Sequence, residues 1–302
     1  MLYKILHYIY LESVKEVAIV SAAVSAQTLP QIWFLDYYRK FRSRYDFNNN
    51  EIPVRKDIQQ KFQEVINDLH IPKSTSEKIK LFNVYDINMF HAGTTYSKYG
   101  AIIGIPVNFE YDDIKNISEQ AITFRNIQVN WNPEINKEFQ RSLILSKDAQ
   151  KFLMARKILI VTENDLIYKI VNIFLNTIIG IMIYEVLYSV LKVTKRQRSK
   201  NIFCISVATF TSGFLWLLSK CAHNYYREFQ LNEKMATLND KYIKGGIEYY
   251  EKLSKRNKAL RILLGKKGTY LFTSNGNENT FFKKSIPISD QIDYFKTRIQ
   301  NI

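Results

Sequence analysis

Cysteine is scarce in this 302-residue chain, which holds only Cys204 and Cys221. On one continuous helix the two would lie about 25 Å apart at 1.5 Å per residue, too far for a disulfide. They read as ordinary small apolar side chains. Histidine is nearly as scarce: His7, His70, His91 and His223, none paired at i, i+4. Neither HExxH nor CxxC occurs, so no common metal-ligand spacing is present and no metal or other cofactor is indicated. No Walker A sequence occurs, since Gly265-Lys266-Lys267-Gly268 lacks the upstream glycine and the Ser/Thr of a phosphate loop. The strand-turn-helix motif G-x-S-x-G of serine hydrolases is also missing. Helix-turn-helix, RNA-recognition and zinc-finger patterns are absent, which speaks against nucleic acid as a partner. There is no internal repeat and no low-complexity segment.

Two stretches lack charge instead. Ile170 to Leu191 carries one charged side chain, Glu185, and Asn201 to Ser219 carries none. About 20 apolar residues suffice for a helix to cross a bilayer core. Between the runs lies KVTKRQRSK, Lys192 to Lys200, with five basic residues. The pattern predicts a transmembrane helix hairpin, with spans at 168–193 and 202–219 around a basic loop at 194–201. The soluble alternative is a core hairpin, but the runs are too long and too uncharged for ordinary core helices. Val17 to Leu35 is a third uncharged run, interrupted by Ser21, Ser25, Gln27, Thr28, Pro30 and Gln31. It is read as an N-terminal span, with a signal anchor or a buried helix as the alternatives. Residues 1–16 match neither an Arg-rich presequence nor a secretory signal.

The net charge is +15, and its distribution is uneven. Residues 36–167 hold 19 basic and 17 acidic side chains, whereas residues 220–302 hold 16 and 8. The basic excess therefore sits in the loop and the C-terminal region, where anionic lipid is the simplest partner. DYYRKFRSR, Asp36 to Arg44, is an aromatic and basic border of the kind found at headgroup depth.

The rest of the chain reads as a mixed soluble domain, α+β in class, built from 36–167 and 220–302 on either side of the hairpin. Asp57 to Leu69 is an amphipathic helix with Ile58, Phe62, Val65 and Leu69 on one face, ended by Pro72. Strands are expected at Ile79–Asp86, Ala101–Tyr111 and Ala121–Trp131, with a turn or bulge at Gly104-Ile105-Pro106. Asn132-Pro133 is a further stop. Ser146 is positioned to cap a helix from Lys147 to about Val161, with Phe152, Leu153, Ile158 and Leu159 on its apolar face. Ala222 to Asn239 is helical in pattern and polar enough to leave the membrane. Gly245-Gly246 is expected to interrupt this region as a hinge or close-packing point. A second amphipathic helix then runs from Ile247 to Leu264 and is closed by Gly265. Tyr270–Phe272 and Phe281–Ile288 are short strand candidates around a turn at Ser274 to Asn277.

Within the hairpin, Glu185 is the main functional candidate, because a carboxylate in a spanning helix is expensive. It lies near the loop end, where it reaches the headgroups, Tyr184, Tyr188 or a neighbouring subunit. Gly180, Asn176, Ser206, Ser212 and Gly213 are the residues suited to close helix packing against a partner in lipid.

Several blocks resemble the transmembrane protein 177 family of mitochondrial inner-membrane proteins. They are KFQEVINDLHIP (Lys61 to Pro72), AIIGIPVNF (Ala101 to Phe109), VNW (Val129 to Trp131) and LSKDAQKFLMARK (Leu145 to Lys157). After the hairpin come GGIEYYEKL (Gly245 to Leu253), ALRILLGKKG (Ala259 to Gly268) and SNGN. The resemblance implies a non-catalytic assembly factor. It would bind newly made cytochrome c oxidase subunit 2 together with that subunit's dedicated membrane chaperone and keep the subunit stable. It supplies no catalytic residues to carry over. With the positive-inside rule, an inner-membrane setting puts the Lys192–Lys200 loop in the matrix; the basic residues at Arg39–Arg44 and in the C-terminal region argue for the opposite orientation.

A fainter similarity, of order more than of residues, is to membrane-bound zinc peptidases of the M48 type. Lys151 to Ile160 stands where their HExxH helix would be, and Leu231 to Leu253 where a later helix supplies a glutamate ligand. Arg156 and Ile160 then occupy the two histidine positions and Lys157 that of the catalytic glutamate, none of which can serve zinc hydrolysis. The similarity implies a degenerate, zinc-free pseudopeptidase scaffold, which zinc bound between Arg156 and Glu233 would contradict. A divergent membrane protease and a lipid-binding membrane scaffold remain the competing functional classes.

Overall fold

A computed structural model of the chain describes residues 19, 21–22, 24–26, 33–117, 133–163, 165–194, 197–279 and 286–300. The expected strand at 121–131 lies outside the described residues. So do most of the run at 17–35 and most of the strand candidate at 281–288.

In chain order the described elements are α1 (Leu35–Arg42), α2 (Lys56–Asp68), α3 (Lys73–Ser76), β1 (Ile79–Val84), β2 (Phe90–Gly93), β3 (Ala101–Pro106), α4 (Pro133–Leu143), α5 (Lys147–Thr162), α6 (Asp165–Val190), α7 (Arg198–Leu238), α8 (Asp240–Leu263), α9 (Lys266–Leu271) and α10 (Ile288–Gln300). The described residues are mostly helical, with one small mixed sheet among them. The chain divides into two compact units, one holding 164–223 and the other built from 35–163 and 224–302.

In the second unit the sheet has the order β1-β3-β2. β3 pairs in parallel with β1, Ile79 facing Ala101, and antiparallel with β2, Phe90 facing Gly104. All six β3 residues are buried, as a central strand requires. The expected break at Gly104 does not occur: the pairing runs without a bulge to Pro106, opposite Val84. Gly104 instead makes room, since a Cβ there would lie 2.6 Å from a methyl of Val84. Proline then ends the strand, and residues 107–110 form a short 3-10 turn rather than more strand.

α5 is the central helix. Ser146 caps it, its Oγ accepting from the Ala149 N–H at 3.2 Å. Burial is not confined to one face: Met154, Ala155, Ile160 and Val161 are buried along with Phe152, Leu153, Ile158 and Leu159. A helix buried on more than one face is a core helix, and among its charged members Lys151, Arg156 and Lys157 have polar partners. α2, β1, β3, α7, α8 and α10 add to this core, among others through Ile58, Val65, Ile79, Ile103, Ile105, Leu231, Tyr242, Tyr250 and Phe295. The Phe152 ring meets those of Tyr250 and Phe295 edge-on, at 5.8 and 5.5 Å.

Several boundaries differ from those read in the sequence. α2 ends at Asp68 with His70 at φ 53°, and Pro72 opens α3 rather than stopping α2. Pro133 likewise opens a helix, α4, because the first helical position needs no N–H donor. α7 and α8 are separated at Asn239, whose side chain caps α8 by accepting from the Lys241 N–H at 3.0 Å. The Gly245-Gly246 pair does not interrupt α8. A Cβ at Gly245 would come within 2.4 Å of the Asp148 carbonyl oxygen, so the glycines let α8 lie against the start of α5. Gly265, at φ 56°, follows the end of α8 as expected of a closing glycine. Tyr270 belongs to α9, not to a strand; Phe272 makes an isolated bridge to Glu278.

Candidate functional site

The hairpin is made by α6 and α7, of 26 and 41 residues. Their most apolar windows are only 17% and 11% buried. A soluble core hairpin would bury most of that surface, so these are two candidate membrane-spanning helices. Phe174, Met182, Val186, Ile202 and Phe210 all point outward.

The seam between the helices has its own logic. On α6, Asn172, Asn176, Gly180 and Tyr184 recur every fourth residue and share one side. On α7, Cys204, Ala208 and Ser212 do the same, with Cys204 and Ala208 buried. A Cβ on Gly180 would sit 3.0 Å from Ser212 Oγ, so the helices approach closely there. Asn176 Nδ2 donates to the carbonyl and side-chain oxygens of Asn172, both at 2.7 Å. The Tyr184 hydroxyl donates to Asn201 Oδ1 at 3.0 Å. Gly180 and Ser212 thus meet each other, and Asn176 is satisfied within its own helix. Glu185 and Ser206 are exposed, and nothing lies within 4 Å of a Cβ on Gly213.

A polar cluster at the base of the hairpin was not legible in the sequence. Asp165, only 9% exposed, accepts from Lys169 Nζ at 2.7 Å and faces His223 Nε2 at 2.9 Å. The His223 ring stacks on Tyr168, centroids 3.5 Å apart. The Tyr168 hydroxyl reaches Ser219 Oγ at 2.8 Å. The available signal was two helical spacings, 165/168/169 and 219/223, on facing helices.

In the second unit, Arg156 is buried and held by partners at both Nη1 and Nη2. Its Nη2 pairs with Glu228 Oε2, and its Nη1 donates to Asn232 Oδ1 at 2.6 Å. Asn232 Nδ2 passes the chain to Gln291 Oε1 at 2.9 Å. The guanidinium also lies 5.6 Å from the Phe152 ring centroid. Burial pulls the Arg156 pKa down, but Tyr250 and Glu228 outweigh it and hold the pKa above its ordinary value. The residue on α7 that meets Arg156 is Glu228, one turn before Asn232; Glu233 is exposed. Ile160 is packed in the core, and Lys157 Nζ lies 3.4 Å from His91 Nδ1. Among the described residues, no three His, Cys, Asp or Glu side chains gather as metal ligands.

The sequence model of the family described as Transmembrane protein 177 matches residues 34–296. The chain belongs to the transmembrane protein 177 family. Relatives named Transmembrane protein 177 include one from Danio rerio, 28% identical over 74% of this chain and 72% of its own. One from Xenopus laevis is 24% identical over 95% and 92%, and one from Homo sapiens is 27% identical over 80% and 78%. No solved structure matches. In this transmembrane protein 177 relative, the blocks carrying the resemblance fall on the core. KFQEVINDLHIP covers most of α2, AIIGIPVNF is β3 and its turn, LSKDAQKFLMARK opens α5, and GGIEYYEKL is the part of α8 beside it.

Proposed function

We propose that this membrane protein is a non-catalytic assembly factor of the mitochondrial inner membrane. In this reading it binds newly made cytochrome c oxidase subunit 2 together with that subunit's membrane chaperone. Membership of the transmembrane protein 177 family over residues 34–296 carries the proposal. The outward apolar faces of α6 and α7 are suited to contacts within the bilayer, and of the polar and small candidates in the hairpin Glu185, Ser206 and Gly213 stay open to a partner helix. The basic loop Lys192–Lys200 is assigned to the matrix. This assignment puts the second unit on the intermembrane-space side.

Two experiments test this. The tagged protein is purified from gently solubilised mitochondria after pulse-labelling of mitochondrial translation. Selective recovery of labelled subunit 2 with its chaperone is expected; an intact bait that recovers no labelled client overturns the reading. For orientation, Ser199→Cys should react with an impermeant maleimide only once the inner membrane is opened. Labelling with the outer membrane alone removed reverses the topology.

A zinc-free scaffold of the M48 type is the second reading. It is favoured by one observation: α5 and α7 are joined by the Arg156–Glu228 pair, a fixed cation at the junction where a metal would join them. Stoichiometric zinc in the purified protein, lost in Glu228→Gln, would count decisively against it.

A further inference from the structure

The second unit carries two adjoining clefts that share Ser142 and Lys252. The inner one, about 280 Å³, lies between α5 and α8, floored by residues 87–89. The outer one, about 510 Å³, opens between α4 and α8. Six cationic side chains line the two: Lys137, Arg141, Lys157, Lys252, Lys255 and Arg256. Three carboxylates answer them, Glu134, Glu138 and Glu278. Met89, Leu145, Leu253 and Tyr249 add apolar wall to the inner cleft.

Arg256 is a cation whose charge is only partly compensated. Its Nη1 donates to Asn88 Oδ1 at 3.0 Å, while its Nε is buried with no hydrogen-bond partner. Burial lowers its pKa despite Tyr249, Glu278 and Asp86 nearby, so its charge is poorly matched where it stands. Lys252 bridges the clefts, donating to Glu248 Oε1 at 2.7 Å and to the Ile144 carbonyl. A ligand carrying negative charge would relieve a desolvation cost already present in the fold.

We propose that this groove binds an extended acidic segment of a protein partner, with its carboxylates toward Arg256, Lys157 and Lys252 and its apolar side chains against Met89, Leu145 and Leu253. The presence of both cationic and apolar side chains in the lining favours a peptide, which carries carboxylates and apolar side chains along one segment, over a lipid headgroup, which presents charge at one end. The proposal rests on the partner-binding reading above and names the chemistry of one contact surface.

The probe is a short fluorescent peptide alternating Glu with Leu, added to the purified full-length protein in neutral detergent. Its Gln–Leu counterpart is the control. Binding of the Glu peptide is expected, weakened by salt, with the Gln peptide at least tenfold weaker. Lys157→Gln combined with Arg256→Gln should weaken Glu-peptide binding ~10- to 100-fold, the range expected for losing charge-assisted hydrogen bonds. Lys296→Gln, on α10 outside the groove, should not. Lys157→Glu should gain affinity for a Lys–Leu peptide, which a merely misfolded variant would not. Equal binding of Glu and Gln peptides overturns the proposal, as does indifference to the groove variants. So does selective capture by phosphatidylserine nanodiscs in place of the peptide. Recovery of the labelled client by a variant that has lost the peptide would reject the groove as the client's contact and leave the assembly reading standing. Loss of client recovery by wild-type protein that still binds the peptide would reject the assembly reading alone.

Discussion

Arg156 of α5 and Glu228 of α7 form an ion pair largely withdrawn from water, their side chains 8% and 19% exposed. Removing one partner leaves a charge buried, at a cost of about 3–5 kcal/mol. Glu228→Gln should therefore lower the melting temperature of the purified protein sharply. Arg156→Met with Glu228→Leu should recover most of the loss, because neither charge remains. A single variant that melts like wild type would show that the pair does not hold α7 to α5.

Gly180 and Gly213 look alike in the sequence and differ in the structure. Gly180 is closed by Ser212, whereas Gly213 faces open space. Gly180→Leu should destabilise the hairpin by ~1–3 kcal/mol, as overpacking does elsewhere. Gly213→Leu should leave hairpin stability unchanged. The test is thermal unfolding of both variants in the same detergent; the reverse order of stability would place the seam on the wrong face of α7.

The close approach of α8 to α5 makes Gly245 intolerant of a side chain. Gly245→Ala puts a Cβ 2.4 Å from a backbone oxygen that cannot turn aside. A loss of ~1–3 kcal/mol or more is expected, against the gain that alanine ordinarily brings in mid-helix. Thermal melts of Gly245→Ala beside Lys244→Ala would separate packing from helix propensity.

Glu248 gives a pH signature. Its carboxylate accepts from the Ser146 N–H at 3.0 Å and from Lys252 Nζ at 2.7 Å, and also from the Ser146 hydroxyl. Desolvation raises its pKa, but these bonds outweigh it, so the folded pKa lies below the reference value of 4.5. The group therefore adds stability above pH 4.5 that is lost as pH falls through the lowered folded value. Glu248→Gln should cost ~1–2 kcal/mol at pH 7 after allowance for solvent screening, with the difference shrinking in acid. A stability gap that stays constant from pH 7 to about 3 would exclude an ionised Glu248 as the acceptor of these bonds from Ser146 and Lys252.

Much of this was written in local pattern. The uncharged runs announced α6 and α7, Ser146 announced the start of α5, and Gly265 the end of α8. What went unread depended on distant partners. Gly104 reads as a break until Val84 is seen against it, and Gly245-Gly246 reads equally as a hinge or a close-packing point until Asp148 against Gly245 decides for packing. Pro72 and Pro133 read locally as stops, yet a proline's fixed φ suits the first turn of a helix as well as an ending. Among the hairpin candidates, sequence could nominate Gly180, Asn176, Ser212 and Gly213 but not sort inner from outer.

By itself, then, the sequence determined the quantities that depend on composition and near neighbours: two helices too apolar for water, a basic loop between them, and capped amphipathic helices. Family membership belongs with these, since it rests on blocks of adjacent residues. Only the tertiary structure decided which charges face each other. Arg156 and Glu228 are 72 positions apart, and Lys157, Lys252 and Arg256 come together from one helix before the hairpin in the chain and one after it. Side-chain electrostatics act over a few ångströms of space, and chain order does not encode those distances until the core has packed.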